Sequence, residues 1–310
     1  MKLADCPVFP DDAGTALSTD RGLGWRLARQ AGPILRHPEA NWVFVVGRQE
    51  VLANLDDERF DRPRALPESD LDVHQQLFAP KAAHDVAAEF RPTAAALIDR
   101  FVAAGGGDAV ADVTTPMVNA LFEVVARRQL LPFEHLSGRS GHVFFEACRN
   151  LFKHASWHLF ELARHPELCD MLRHQPELIR RFVEEVLRLE PMVQSCQRFT
   201  TKPTTVGDVE LPADMTVMLC FAAVQRDGSD AMSTDDLVIG DRAHRHWSLG
   251  AGSMRCRGGH IVRQVLRVLV EEWVDRAGHV GLVPGFRPVA GFPATESVLC
   301  LPELPLVARA

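Results

Sequence analysis

Residues 248–260 hold one cysteine, Cys256, in a glycine-rich run directly before a segment with strong helical periodicity. Glycine adopts positive φ angles and has no Cβ, so such a run can wrap the backbone closely around one side chain. The apolar residues that follow at helical spacing are Ile261, Val262, Val265, Leu266, Val268, Leu269 and Val270. The free N–H groups and positive dipole end of that helix would favour a thiolate, the form that binds metals. The sequence therefore predicts that Cys256 is a metal ligand; a buried structural cysteine is the alternative.

Length and composition are those of one folded unit. The 310 residues are 46% hydrophobic, enough for one large core, and we expect a single domain over residues 1–310. A net charge of −7 argues against nucleic acid and against an anionic membrane surface as partners. The chain shows no signal-peptide pattern and no apolar run near the ~20 residues that span a bilayer. Seven scattered cysteines argue against a disulfide framework and predict a cytoplasmic protein.

Helical periodicity dominates the rest of the chain. Apolar spacing predicts helices over residues 73–104, 115–130 and 143–164, the last of them long and deeply buried. A β-branched and aromatic run over 42–47 predicts a strand, and short apolar runs after Gly281 predict terminal hairpins. The predicted fold class is therefore mainly α with small β-sheets.

Two motifs resemble those of the cytochrome P450 family. The family's haem-binding loop reads Phe-Gly-x-Gly-x-(His or Arg)-x-Cys-x-Gly, and the matching positions here are Leu249 (in the Phe place), Gly250, Gly252, Cys256 and Gly258. Met254 takes the usual His or Arg place, and a basic residue follows one step later at Arg255. Upstream, Glu185 and Arg188 are similar to the family's Glu-x-x-Arg helix. The resemblance runs from about residue 141 to the end of the chain.

The resemblance implies a cytochrome-P450-like helical fold and a bound haem b, with Cys256 as the axial iron ligand. It implies a buried charged network beneath the haem, formed by Glu185, Arg188 and Arg242. It also implies that Arg198 binds a haem propionate, with His246 and Arg255 as further candidates for that contact. Leu249, Gly250 and Gly258 would form the loop that holds the haem on the cysteine side.

The central helix departs from the family pattern. Residues 146–151 stand where the family has Ala-Gly-x-acid-Thr, whose acid and alcohol relay protons. Arg149 and Asn150 cannot serve as that pair, and Glu146 has a different spacing. Arg149 could fix an anionic group above the iron, such as a substrate carboxylate or a peroxide. The alternative is that Arg149 faces away and pairs with a structural carboxylate.

A second departure concerns length on the distal side. Only a short connector, residues 133–140, stands where the family has two further helices that cover the distal pocket. The stretch 60–78 is also short, and residues 74–78 occupy the place of a propionate-binding arginine. We therefore expect a fold reduced in the distal lid region, with apolar surface exposed there. A second copy of this chain, another protein or a bulky substrate, either a peptide or a carrier-bound amino acid, would cover that surface.

The cysteine side carries a basic band, formed by Arg255, Arg257, His260, Arg263 and Arg267. A solvated helix face is the simple interpretation. In an acidic chain, a basic band at this place also suits the docking of a ferredoxin-type electron donor.

The leading functional hypothesis is a haem-thiolate oxidoreductase of the monooxygenase class, acting in secondary metabolism by hydroxylation or radical coupling. Oxygen with an electron donor and peroxide are both candidate oxidants. One alternative is a non-catalytic member of the fold that binds haem or only a partner protein. A truncated, non-functional gene product is the third possibility.

Overall fold

The structure is a computed structural model. It describes residues 1–61, 78–128, 139–228, 235–240, 245–252, 255–277, 280–290 and 299–308, and the side chains of 139–143 are not described. The predicted sites at Arg242, at Met254 and over residues 74–77 lie outside the described residues. The same is true of most of the connector 133–140, which is described only from residue 139.

The described part of the chain contains ten α-helices, numbered here in chain order. Their bounds are α1 Asp11–Leu17, α2 Arg21–Ala31, α3 Arg48–Ala53, α4 Pro80–Ala103, α5 Thr115–Arg127, α6 Arg139–Arg164, α7 Pro166–His174, α8 Ile179–Leu189, α9 Phe221–Val224 and α10 Gly259–Arg276. Both α6 and α8 end just before an X-Pro step, because a following proline disfavours the helical conformation. His165 and Glu190, which precede the prolines, accordingly have ψ angles of 78° and 63°.

One hydrophobic core joins the long helices. Helices α4, α5, α6, α8 and α10 each contribute a buried face, and α4 packs most extensively on α10. Large side chains such as Phe90, Phe152, Phe182 and Trp273 fill this core and are almost fully buried. Helix α6 is the most enclosed, since from Leu151 to Ala163 every residue but Lys153 is buried. The burial of so many apolar side chains is the main stabilising contribution of such a bundle.

Three small sheets complete the described architecture. The strands are β1 Ile34–Arg36, β2 Trp42–Val45, β3 Phe60–Asp61, β4 Gly106–Asp108, β5 Cys196–Thr200, β6 Thr204–Val206, β7 Val209–Leu211, β8 Thr216–Leu219, β9 Val280–Leu282 and β10 Pro305–Ala308. The largest sheet has the order β1-β2-β8-β5-β3, in which β2 and β8 are parallel and the other neighbours antiparallel. Strand β10 lies between β4 and β9, and β6 pairs with β7. The five-stranded sheet has its own apolar cluster.

The fold class predicted from periodicity is confirmed: the protein is mainly α-helical with small sheets. The predicted helix over 143–164 begins earlier, at Arg139, and the one over 115–130 is described as ending at Arg127. Residues 128–138 separate α5 from α6, and of these the structure describes only Arg128. Within the described ranges, none of the helices has the length and apolar character needed to cross a bilayer.

Candidate functional site

The loop that carries Cys256 is closed by backbone hydrogen bonds. The Cys256 N–H donates to the Leu249 carbonyl at 2.7 Å, and the Gly250 N–H donates to the Trp247 carbonyl at 2.8 Å. On the other side, the Gly259 N–H donates to the Cys256 carbonyl at 3.2 Å, where α10 begins. Gly250 has a φ of 72°, a left-handed conformation that glycine adopts without steric cost. The cysteine is therefore fixed between a tight turn and a helix N-terminus.

Two further glycines define the space around the sulfur. Gly252 has a φ of 55°, and a Cβ there would lie 1.5 Å from Oδ2 of Asp56. A Cβ at Gly258 would lie 3.8 Å from the Cys256 sulfur and 3.5 Å from the Phe78 ring. These last distances are ordinary contacts, so a side chain at 258 would fill the space beside the thiol rather than clash. Glycine at 258 keeps that side of the sulfur open.

Cys256 is the one exposed cysteine of the seven. Desolvation by the surrounding protein nevertheless raises the pKa of its thiol above the usual value, against the lowering effects of the Gly258 N–H and the Arg263 charge. The Gly258 N–H thus favours the thiolate, as predicted for the turn, but in the protein by itself desolvation outweighs both lowering effects on the pKa. A metal that binds this sulfur must displace its proton, so metal binding and deprotonation are coupled.

The donor set suits a haem iron better than a bare metal ion. Within the described ranges, no three His, Cys, Asp or Glu side chains gather where they could hold a metal together. Cys256 thus offers a single soft ligand, with the open space beside Gly258 next to it. A haem iron requires from the protein one axial ligand of this kind, because the porphyrin supplies four others. The residues present fit the group that the sequence implies.

Glu185 and Arg188 form a buried ion pair on α8. The Arg188 guanidinium donates to both carboxylate oxygens of Glu185, at 2.9 and 2.7 Å, and the side chains are 1% and 3% exposed. Arg188 also donates to the carbonyls of Gln225 at 2.8 Å and Asp236 at 3.1 Å. Buried charges of this kind are tolerated when each donor and acceptor is satisfied. The pair is a structural tie between α8 and two later segments, while the third predicted member, Arg242, lies outside the described residues.

Arg198 lies on β5 and is 1% exposed. Its guanidinium donates to the carbonyls of Gln197 at 2.9 Å and Leu55 at 2.8 Å. These two bonds fix the guanidinium between β5 and the segment that follows α3.

Glu184 binds two side chains near the cysteine loop, and sequence reasoning missed it. Its carboxylate accepts from His246 Nε2 at 2.9 Å and from Arg263 Nε at 2.6 Å. Burial raises the pKa of Glu184, but the hydrogen bonds from His246 and Arg263 outweigh burial and lower it to about 2. The structure thus places His246 against Glu184, whereas Arg255 is exposed. Glu184 and Glu185 are adjacent in sequence, but their carboxylates bind different partners.

Two members of the basic band are engaged by carboxylates of the protein itself. Arg263 is engaged by Glu184, and Arg267 donates to Glu271 at 2.6 Å on the same helix. Arg255, Arg257 and His260 are exposed.

Helix α6 carries the candidates Glu146, Arg149 and Asn150, and on it Arg149 pairs with a carboxylate. Arg149 is 47% exposed and donates to Glu146 at 2.8 and 3.0 Å, an i,i+3 pair on the helix surface. Asn150 differs, because its Oδ1 is buried and has no hydrogen-bond partner. An unpaired buried acceptor is costly, so this atom is suited to accept a hydrogen bond from a bound molecule.

The described residues do not show the exposed apolar surface expected beside a shortened lid. Large exposed apolar side chains in the described ranges are Met1, Leu23, Trp42, Val238, Val283 and Val289. None of them lies on the described part of α6, residues 144–164.

A second buried polar cluster, also missed from the sequence, joins α2 to the end of α8. Glu190 accepts from Arg21 and, at 3.1 Å, from Arg226.

On α6, burial lowers the pKa of His154 to about 4 and that of His158 well below its usual value. Both imidazoles are therefore neutral core groups at neutral pH.

Comparison with protein families places this geometry in context. The family model for Cytochrome P450 matches residues 111–229 of the chain. Cytochrome P450 144 of Mycobacterium tuberculosis is 33% identical over 117 residues, which is 37% of this chain and 27% of that protein. Pentalenic acid synthase of Streptomyces avermitilis is 28% identical over 201 residues, 65% of this chain and 46% of that protein. The chain thus aligns with less than half the length of either relative.

Solved structures match over nearly the whole chain. P450BioI, in complex with an acyl carrier protein ligated with hexadec-9Z-enoic acid, has a TM-score of 0.77 and 18% identity, covering 94% of this chain and 99% of that one. CYP108D1 from Novosphingobium aromaticivorans also has a TM-score of 0.77, with 19% identity over 98% of this chain and 100% of that one. These structures share the fold of this chain. The cysteine loop lies beyond the segment that the family model matches, so it is an independent observation.

Proposed function

Because this chain belongs to the cytochrome P450 family, we propose that it is a haem-thiolate oxidoreductase of the monooxygenase class. The proposal rests on one observation: an exposed cysteine held in a glycine loop at the start of an 18-residue helix. Cys256 would be the axial ligand of a haem b. When bound, the haem supplies the activation of oxygen that oxidises an organic substrate.

The remaining residues of the cysteine side would hold the group in place. Leu249 and Gly250 close the loop, and Gly258 leaves space beside the sulfur. Arg198 would bind one propionate, since a guanidinium pairs well with a carboxylate. Arg255 is the second propionate candidate, because it is exposed while His246 is already bound by Glu184.

On the distal side, the role of hydrogen-bonding partner belongs to Asn150. Its unpaired Oδ1 can accept a hydrogen bond from a substrate group or from a water molecule. Arg149 forms an ion pair with Glu146 on the helix surface, which argues against a role for Arg149 in binding peroxide. Oxygen with an electron donor is therefore the favoured oxidant. A ferredoxin-type donor would dock on the exposed face that holds Arg255, Arg257 and His260, where the arginine charges suit an acidic partner.

The substrate proposal follows from the short distal segment. In sequence, the connector of residues 133–140 is shorter than the two covering helices of the family, so a bulky substrate would have to exclude water itself. A peptide or a carrier-bound amino acid would do so. The structural relative P450BioI was solved with an acyl-loaded carrier protein, which supports a carrier-bound substrate class. The odd number and scattered positions of the seven cysteines suit a cytoplasmic setting.

A non-catalytic role is the second candidate, and one observation favours it. The surface pair of Arg149 and Glu146 stands where the family has its proton-relaying acid and alcohol. Such a protein would bind haem, or only a partner protein, without turnover.

Oxygen uptake separates the two candidates without knowledge of the substrate. The chain is loaded with haem b and mixed with a [2Fe–2S] ferredoxin, its reductase and NADPH. We expect oxygen uptake that requires the chain and is lost in Cys256→Ser. Full haem loading without oxygen uptake would support the non-catalytic candidate, and failure to load haem would contradict the haem-based forms of both.

A further inference from the structure

The side-chain amide of Gln225 joins two segments that bear on the cysteine loop. Gln225 follows α9 directly and is 1% exposed. Its Oε1 accepts from the Trp247 N–H at 2.6 Å and lies 3.0 Å from the Ser248 hydroxyl, whose single hydrogen it shares with the Leu187 carbonyl. Its Nε2 donates to the Arg188 carbonyl at 3.0 Å. One buried amide thus connects the end of α8 to the segment that leads into the loop.

Gln225 is joined to Arg188 a second time through the backbone. The Arg188 guanidinium donates to the Gln225 carbonyl at 2.8 Å, while it also holds Glu185. The two residues therefore form a closed pair of hydrogen bonds in a region from which water is excluded. Hydrogen bonds in such a low-dielectric environment are strong, and leaving one partner unpaired is correspondingly costly.

The contacts continue from Trp247 and Ser248 to Cys256. The Ser248 hydroxyl also lies 2.5 Å from the Leu187 carbonyl, which ties this segment to α8 again. The Trp247 carbonyl accepts from the Gly250 N–H, and the Leu249 carbonyl, two residues later, accepts from the Cys256 N–H at 2.7 Å. Any shift of residues 247 and 248 would move the carbonyl that receives the cysteine amide.

We propose that Gln225 is a positioning residue for Cys256. Its amide fixes the first two residues of the turn, and the turn fixes the direction of the cysteine sulfur. The inference rests on the proposed role of Cys256 as a metal ligand, but the placement of the sulfur can be measured without haem.

The test compares two buried glutamines. Gln225→Met removes the amide with little change in volume. Gln194→Met is the matched control, because Gln194 is 4% exposed and its amide also makes two bonds, to the Pro191 carbonyl at 2.5 Å and from Trp25 Nε1 at 3.3 Å. Neither of these bonds involves the cysteine loop. In the haem-free proteins, the alkylation rate of Cys256 by iodoacetamide is followed by peptide mass spectrometry.

We expect Gln225→Met to change the Cys256 alkylation rate by about fivefold or more, the effect of one lost hydrogen bond. Gln194→Met should leave that rate at the wild-type value, even with a comparable loss of thermal stability. After haem loading, Gln225→Met should also lower the fraction with a thiolate-type carbon monoxide spectrum. A wild-type rate in Gln225→Met, or an equal change in both variants, would overturn the proposal.

A second variant covers the case in which Gln225→Met does not fold. Gln225→Glu keeps an acceptor for Trp247 and Ser248 and loses only the donor to Arg188. We expect it to retain the wild-type alkylation rate at Cys256, and a changed rate would contradict the assignment. If haem fails to bind while Gln225→Met still alters alkylation, the proposed function fails and the positioning role stands.

Discussion

Glu184 on α8 accepts a hydrogen bond at 2.9 Å from His246, which stands in the segment that leads to Cys256. The same carboxylate binds Arg263 on α10, at 2.6 and 3.0 Å. One acidic side chain thus joins the helix before the cysteine loop, the loop entry and the helix after it. Its contribution to the free energy of unfolding depends on pH, because the pKa of its carboxyl group is lowered in the folded protein.

Replacement of Glu184 by Gln should remove a pH-dependent part of the stability. The pKa of Glu184 is lowered from 4.5 to about 2, so its ionised form stabilises the folded state above pH 4.5. This contribution is lost as the pH falls through the folded pKa. In urea unfolding, we expect Glu184→Gln to cost about 2 kcal/mol at pH 7 and progressively less toward pH 2. A cost that does not change with pH would contradict the assignment.

The buried histidines of α6 should make the fold acid-sensitive at a higher pH. The pKa of His154 is lowered from 6.5 to about 4 by burial, so the unfolded chain binds a proton that the folded protein refuses. Stability is therefore highest above pH 6.5 and falls between pH 6.5 and 4. His154→Gln can keep a hydrogen bond to the Glu190 carbonyl without a titrating group. We expect it to reduce the slope of stability against pH in this window, and an unchanged slope would count against a neutral His154.

The two ion pairs of the site should differ greatly in energetic importance. Arg188→Ala leaves the buried Glu185 without its partner and should cost about 3–5 kcal/mol in chemical unfolding. Arg149→Ala removes an exposed i,i+3 pair and should change stability by less than about 0.5 kcal/mol. Equal losses in the two variants would show that Arg149 has a buried role.

Gly252 should be more sensitive to a side chain than a glycine of similar backbone geometry. Gly252→Ala combines a φ of 55° with a Cβ that would overlap the Asp56 carboxylate, whereas Gly285 has a φ of 83° and no atom within 4 Å of a Cβ. Gly285→Ala therefore reports backbone strain alone, about 1 kcal/mol. We expect Gly252→Ala to lower the melting temperature further and to weaken haem binding. Equal effects on both quantities would mean that the contact with Asp56 is unimportant.

Local patterns predicted the parts of the site that lie close together in sequence. Glu185 and Arg188 are three residues apart on one helix, and Cys256 lies in a single loop beside α10. The partners of Glu184 are 62 and 79 residues away, so no local pattern could reveal them. The raised pKa of Cys256 could not be predicted for the same reason, because desolvation depends on segments distant in the chain. The three-residue spacing of Glu146 and Arg149 could be seen in the sequence. It did not decide whether Arg149 binds an anionic ligand or pairs with a carboxylate of the protein.

The spectrum of the reduced protein with carbon monoxide tests the central assignment most directly. The wild type, Cys256→Ser and the control Cys300→Ser are loaded with haem b, reduced and treated with carbon monoxide. We predict a thiolate-type Soret shift in the wild type and in Cys300→Ser, and its loss in Cys256→Ser. A thiolate-type shift that persists in Cys256→Ser would contradict the assignment of this sulfur as the haem ligand.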